Sequence, residues 1–411
     1  MTGSTLARPM RFLGRFCAIA ALVAIAACTQ RPEAPPAPVV VAPPAPTAAN
    51  PLDRDRPEYL RLPGQPEGTP VRVGVILPFS SGAPATRALA ASMLKAAQLA
   101  MFDAGNPNIL LMTADEGNGG AQAANAARTL LAQGAEVIVG PLFGPSVAAV
   151  APVARDRGVP VLAFSTEKTV AGNGAYLLSF LPQTQVQRVV RWAAANGHRN
   201  YAALLPQTAY GDVANAAFAD SVASVKGNIV AIQRFAPNAA AAMGPASSVA
   251  KSGADAVLIA QGGTVLKAIG PTLSLDGMGR DKVRLLGTGL WDDPGLEREA
   301  SLQGGWYAAP APNADADFSA RYRTAFGAAP VQLSSLAYDA MSLVALLSQG
   351  PAYHRFTPAA LMDPNGFSGV NGIFRFNADG TSERGLAVLE MTPNGPIVVS
   401  PAPTTFQGKN S

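Results

Sequence analysis

The stretch VIVGPLFGPSVAAV, Val137 to Val150, joins an apolar run suited to a buried strand to a Gly-Pro-Ser start suited to a helix. A helix N-terminus held at the end of a strand aims unpaired N–H groups and the positive end of the helix dipole the same way, and so favours an anion. Hydroxyls accompany it. Ser146 lies in this junction, and Ser165 and Thr166 close the next apolar run, VPVLAFS at 159–165, and its loop. Each serine has two roles open to it, to cap a helix or start a turn, or to face a bound group. The paired acids Asp115–Glu116 and Asp292–Asp293 also follow apolar runs. Acids so placed are usually solvated or cap helices.

Catalytic patterns are missing. His198 precedes the apolar run at 201–206, which puts it at a strand's amino edge, and His354 sits in a connection. There is no Gly-x-Ser-x-Gly, no Walker loop, no complete Gly-x-Gly-x-x-Gly and no His/Cys cluster at metal spacing. The expectation is a binding protein, not an enzyme, with no cofactor and no metal.

The chain has 411 residues, 48% of them hydrophobic and 14% charged. That suffices for one large or two medium domains with true cores. Residues 1–27 read as a secretory signal. Arg8, Arg11 and Arg15 form its basic flank, and the run from Phe12 to Ala27 is apolar but short for a bilayer span. The end, Ile25-Ala26-Ala27-Cys28, resembles a bacterial lipobox, which implies a lipid on Cys28 after cleavage. Thr29 follows where an inner-membrane retention signal would usually place Asp, so the outer membrane is the expected anchor. Loss of the signal lowers the net charge from +4 to about +1, and the basic balance then argues nothing about nucleic acid. Cys17 leaves with the signal, so the mature chain has no disulfide. Residues 28–70 contain APPAP twice and are expected to be an extended tether. At about 3.1 Å per residue such a tether reaches roughly 100 Å or more.

From Val71 onward apolar runs alternate with helical periodicity. VRVGVILPF, NILLMTAD, EVIVG and VPVLAFS are strands, separated by helices over 85–105, 120–134 and from Ser146. A second block repeats the rhythm with YAALLP, NIVAIQRF, DAVLIAQ and VRLLGTG. Near-continuous apolar strands of this kind belong to parallel sheets covered on both faces, an α/β fold. A strong helix over 333–350 and a hairpin over 372–391, turned at Asn-Ala-Asp-Gly, complete the reading. Open parallel sheets bind ligands at the carboxyl ends of their strands.

The run DEGNGGAQAANAARTLLAQGAEVIVGPLFGPSVAAVAPVARDRGVPVLAFST resembles the central signature of type I periplasmic binding proteins of the leucine/isoleucine/valine-binding group. ALLPQTAYGDVANAAF, FSARYRTAFGAAPVQLSSLAYDAM and FSGVNGIFRFNADG resemble its later blocks, in order. The resemblance covers nearly all of 71–395 and implies two Rossmann-like lobes with the ligand cleft between them. The lobes are joined by three crossovers, expected near 181, 307 and 365. Lobe 1 then spans about 71–181 and 307–365, lobe 2 about 182–306 and 366–395, with 396–411 as a tail. In that group, hydroxyls and N–H groups after the third and fourth strands hold the ligand carboxylate, which implicates Ser146, Ser165 and Thr166. Tyr210, in TAYG, matches an aromatic that closes over the ligand, and Leu77, Pro78, Phe79 and Ser80 follow the first strand. Two departures stand out. The receptors' third-loop serine falls on Gly144, and the acid that pairs the ligand ammonium falls near Gly289 or Leu290. Trp291 and Asp292 are displaced from it, and Trp291 either lines the cleft or packs in the hinge.

GTGLWDDPG, followed by GGWYAAP, also resembles a branch of this fold, the penicillin-binding protein activators, lipoproteins that stimulate peptidoglycan synthases. The better-studied activators carry a helical-repeat domain where this chain has its proline-rich tether. Two functions follow as expectations. The first is an envelope regulator that contacts a peptidoglycan synthase. The alternative is a receptor that delivers an amino acid or similar solute to an ABC permease.

Overall fold

The computed structural model describes residues 59–62, 70–106, 108–279, 282–352 and 354–407. Cys28, the signal and nearly all of the tether lie outside the described residues. The first lobe is a six-stranded sheet of β1 (Tyr59–Leu60), β2 (Val71–Leu77), β3 (Ile109–Asp115), β4 (Val137–Val139), β5 (Val161–Ala163) and β6 (Ala175–Leu177), in the order β1-β3-β2-β4-β5-β6. All neighbours are parallel except β1, which adds antiparallel to the edge at β3. Every residue of β2 is buried, as two-sided cover demands. One face carries α1 (Pro84–Ala104), and the other carries α2 (Gly120–Ala132) and α3 (Gly144–Arg155).

From β6 the chain passes through α4 (Pro182–Ala195) into the second lobe. There β7 (Asn200–Pro206), α5 (Ala209–Ser224), β8 (Asn228–Phe235), α6 (Ala239–Ala250), β9 (Ala256–Ile259), α7 (Gly263–Leu275), β10 (Arg284–Gly287) and β11 (Trp306–Ala309) build a second parallel layer. The chain then returns. α8 (Ala316–Phe326) and α9 (Ser335–Leu347) pack beside α1, and Phe318, Tyr322, Met341 and Val344 join the first core. The short α10 (Pro358–Leu361) follows.

The end of the chain differs from the expected single hairpin. β12 (Phe367–Gly369), β13 (Gly372–Phe376) and β14 (Ser382–Arg384) form a small antiparallel sheet. It stays with the first lobe, because Phe374 and Phe376 are buried there and the Phe376 ring lies 5.2 Å from that of Tyr176. β15 (Ala387–Glu390) then pairs antiparallel with β11, and β16 (Ile397–Ser400) pairs with β15. The third passage between lobes is therefore at 384–387, not near 365, and residues 397–400 are a strand of the second sheet, not a tail. That sheet runs β16-β15-β11-β10-β9-β7-β8.

All three passages lie at one kind of edge. The first leaves the carboxyl end of β6 and the second the carboxyl end of β11. The third enters β15 at Ala387, directly beside Ala309 at that same end of β11. A hinge at the carboxyl edges of both sheets leaves the strand-end loops of the two lobes bordering one cleft.

A buried ion pair secures the third passage. Asp339 on α9 and Arg384 at the end of β14 are 1% and 4% exposed. Both terminal nitrogens of Arg384 lie 3.2 Å from Asp339 Oδ2, and Asp339 Oδ1 accepts the Val370 N–H at 2.7 Å. The guanidinium also stacks over Phe180 and Phe374. Removing one member strands the other charge in the core. Asp339→Ala is expected to cost about 3–5 kcal/mol in urea unfolding, and Asp339→Leu with Arg384→Met together far less than either change alone.

Candidate functional site

The loops after β2, β3, β4 and β5 bring Phe79, Ser80, Asp115, Glu116, Gly144, Ser146, Ser165 and Thr166 to the carboxyl edge of the first sheet. The helix start is real: α3 begins at Gly144, with Pro145 in its first turn. Most of the donors around it are already used. The Leu142 and Phe143 N–H groups donate to Glu116 Oε2 and Oε1 at 2.8 and 3.0 Å. The Ser146 hydroxyl also bonds this carboxylate. Pro145 has no N–H, and the Ser146 N–H donates to the Phe143 carbonyl at 3.0 Å. The remaining approach, over Gly144, is covered by Glu167. A Cβ at position 144 would sit 2.2 Å from the Glu167 carboxyl carbon and one of its oxygens. Glycine at 144 is what admits this second acid.

Glu116 is fully buried. It reaches from the end of β3 across β2 to the loop after β4, and its own N–H donates to the Leu77 carbonyl at 2.8 Å. Burial raises its pKa against the two N–H bonds and the Ser146 hydroxyl that favour the anion. Asp115, one residue earlier, shifts the other way. Partial burial opposes its charge, but the Ser80 hydroxyl and the Gly117 and Ser80 N–H groups outweigh it and lower the pKa. Ser165 is buried too, and its hydroxyl accepts the Glu167 N–H at 3.1 Å. Thr166 is exposed. The serine hydroxyls thus bond within the loops, while Phe79, half-buried, and Phe143, 44% exposed, offer apolar surface.

In the second lobe, Tyr210 opens α5 after β7, and its hydroxyl donates to Thr288 Oγ1 at 2.9 Å. Burial pushes its pKa up to about 12. Trp291 does not line the cleft. It is 0% exposed, its indole N–H donates to the Ile259 carbonyl at 3.2 Å, and its ring packs in the core beside Tyr307. Cβ atoms at Gly287 and Gly305 would lie 2.2 and 2.7 Å from that ring, so the glycines of GTGLW and GGWYAAP make room for it. Asp292 accepts the Tyr307 hydroxyl, and burial raises its pKa, with Asp315, Glu297 and Asp293 adding to the rise. On this loop Leu290 is 43% exposed, while the Gly289 N–H donates to Gln185 Oε1 at 3.0 Å. Two cavities of about 310 and 330 Å³ lie elsewhere, one beside α8 and α9 and one at Arg284, Gln303 and Glu390. Among the described residues no group of three or more His, Cys, Asp or Glu could hold a metal ion, and no helix is long and apolar enough to cross a membrane.

Glu167 and Phe143 are residues that sequence reasoning passed over, and Leu290 entered only as a place where an acid was missing. Glu116 was visible only as half of an acid pair, one of whose ordinary roles is helix capping.

The Asp115 shift sets a pH dependence. A folded-state pKa below the unfolded value of about 3.9 gives stability that is present above that value and lost as pH falls through the folded one. Asp115→Asn is therefore expected to be less stable than wild type at neutral pH. In urea melts the gap should close as pH drops below about 4.

A family model described as periplasmic binding protein matches residues 70–396. Among solved structures, a putative branched-chain amino acid ABC transporter protein from Rhodospirillum rubrum is similar, with TM-score 0.69 and 17% identity, covering 80% of this chain and 100% of that one. A branched-chain amino acid ABC transporter periplasmic ligand-binding protein from Burkholderia xenovorans has TM-score 0.66 and 20% identity, covering 82% and 97%. A solute-binding protein of an ABC transporter from Rhodopseudomonas palustris, in complex with 3,4-dihydroxybenzoic acid, has TM-score 0.61 and 18% identity, covering 82% and 97%. A search of curated proteins finds no match. With its two α/β lobes hinged at three passages and a family match over most of its length, the chain belongs to the periplasmic binding proteins, with the type I fold of the leucine-binding group.

Proposed function

We propose that this protein is an envelope receptor whose interlobe cleft takes a small solute for delivery to an ABC permease, and that the solute is not a free amino acid. The observation that carries the reading is that strand-end loops of both lobes carry exposed apolar side chains, Phe143 after β4 and Leu290 after β10. Covering the exposed part of each, 44% and 43%, with a ligand gains about 1 kcal/mol apiece. The similar structures named above include amino-acid and dihydroxybenzoate-type receptors, which supports the solute-binding reading. The loop that would pair an ammonium offers Gly289 and Leu290 instead of an acid, and an unpartnered buried ammonium is costly.

A second reading is favoured by Glu116 taking up the Leu142 and Phe143 donors ahead of α3: a regulator of peptidoglycan synthesis that keeps the fold and contacts a synthase. The lipid expected on Cys28 and the tether would serve a protein rooted in one membrane whose partner stands in the other.

A melting-temperature survey of amino acids, amines, sugars and aromatic solutes separates the two. The receptor reading expects a shift of several degrees with at least one solute and none with free leucine. A protein that responds to no solute but captures a peptidoglycan synthase from envelope extract overturns it in favour of the regulator. Cys28→Ala is expected to move the protein from the membrane to the soluble periplasmic fraction. If it stays in membranes, the anchor is elsewhere.

A further inference from the structure

We infer that Glu116 is a resident carboxylate ligand of the α3 N-terminus, and that it excludes the carboxylate of any solute from that position. The inference rests on the reading of the cleft as a solute site and narrows its chemistry to solutes that do not present a carboxylate to the first lobe. Three observations carry it. The Glu116 carboxylate is bidentate toward two successive N–H groups, Leu142 and Phe143, at 2.8 and 3.0 Å. It also takes the Ser146 hydroxyl, which makes the arrangement that would otherwise recognise an external carboxylate. The group is fully buried, so these bonds are not shared with water.

Glu167 adds a second barrier of the same sign. Its carboxyl lies over Gly144, and among the described residues it has no ion-pair partner, whereas the adjacent Lys168 pairs with Asp379 at 3.5 Å. An incoming carboxylate therefore meets one anion already bonded to the Leu142 and Phe143 donors and another over Gly144. Displacing Glu116 would strand its charge, and binding beside it would bring like charges together. A neutral or cationic apolar solute meets neither penalty, and Phe143 stands next to Glu167's resting place on Gly144 to receive it.

The test uses the full-length protein and simple carboxylates as probes. Glu116→Ala keeps Cβ and removes two carbons and the carboxylate oxygens, a gap the size of acetate. Its melting temperature is expected to fall by several degrees and to recover substantially in millimolar sodium acetate, but not in sodium chloride of equal ionic strength. Wild type should show no shift with acetate, leucine or benzoate. Glu116→Gln, whose amide fills the gap, should be destabilised without acetate rescue. A folded Glu116→Ala that ignores acetate overturns the inference, as does a wild-type shift with leucine or benzoate; the latter leaves the solute-receptor reading standing. Acetate rescue in a protein whose wild type responds to no solute of any class retains the inference and counts against the receptor. Should Glu116→Ala fail to fold, hydrogen exchange of wild type decides. Slow exchange at the Leu142 and Phe143 amides supports the resident ligand, and exchange as fast as an open loop refutes it.

Discussion

The Glu116 carboxylate is the contact on which the first lobe's binding face depends. By accepting from Leu142 and Phe143 while its own N–H bonds Leu77, it ties the carboxyl ends of β3, β2 and β4 into one unit. A helix N-terminus leaves several donors without partners inside the helix, and a buried one must find acceptors somewhere. In a receptor the solute can be the acceptor, and the loop is complete only when loaded. Here an internal side chain takes that role. The loop is organised in advance, and the positions of Phe143, Ser146 and Gly144 do not wait for a ligand.

The same residue type one position earlier behaves differently, and the contrast explains much of what a sequence discloses. Asp115 faces the Ser80 loop and is held as an anion, whereas Glu116 turns inward under the α3 loop, where burial opposes its charge. Neighbouring side chains at the end of a strand point to opposite sides, and no property of the dipeptide says which side the chain will cover. Trp291 has the reverse history. An aromatic beside two acids in a loop suggests surface, but its ring is enclosed because Gly287 and Gly305 leave space for it. Those glycines were in plain view, although their relation to the indole becomes evident only once β10 and β11 are neighbours.

The β-α alternation was legible because parallel strands buried on both faces must be apolar almost throughout, as β2 is. The last strands were not. The turn Asn377-Ala378-Asp379-Gly380 does join two paired strands, β13 and β14. The apolar run that continues it, Leu386 to Leu389, reads as more of the same hairpin. Its real partner is β11, some eighty residues earlier in the chain. Local pattern identifies a strand. Which sheet it joins is decided by where Phe374, Phe376 and Arg384 are buried, and the buried pair with Asp339 places the switch between sheets just after residue 384.

The interleaving of the lobes has a consequence for the order in which the molecule can be completed. The first sheet is finished early in the chain, but its outer cover on the α1 side waits for α9, which is translated after nearly all of the second sheet. The second sheet in turn lacks two of its seven strands until Ala387–Ser400 emerges. Neither half can close its core before the other is almost whole, so apolar surface stays uncovered until residues 387–400 are in place. Contacts of such long sequence separation fold slowly and leave unpaired strands exposed meanwhile. A single late event, the arrival of β15 beside β11, thus both completes the second sheet and closes the third passage between the lobes.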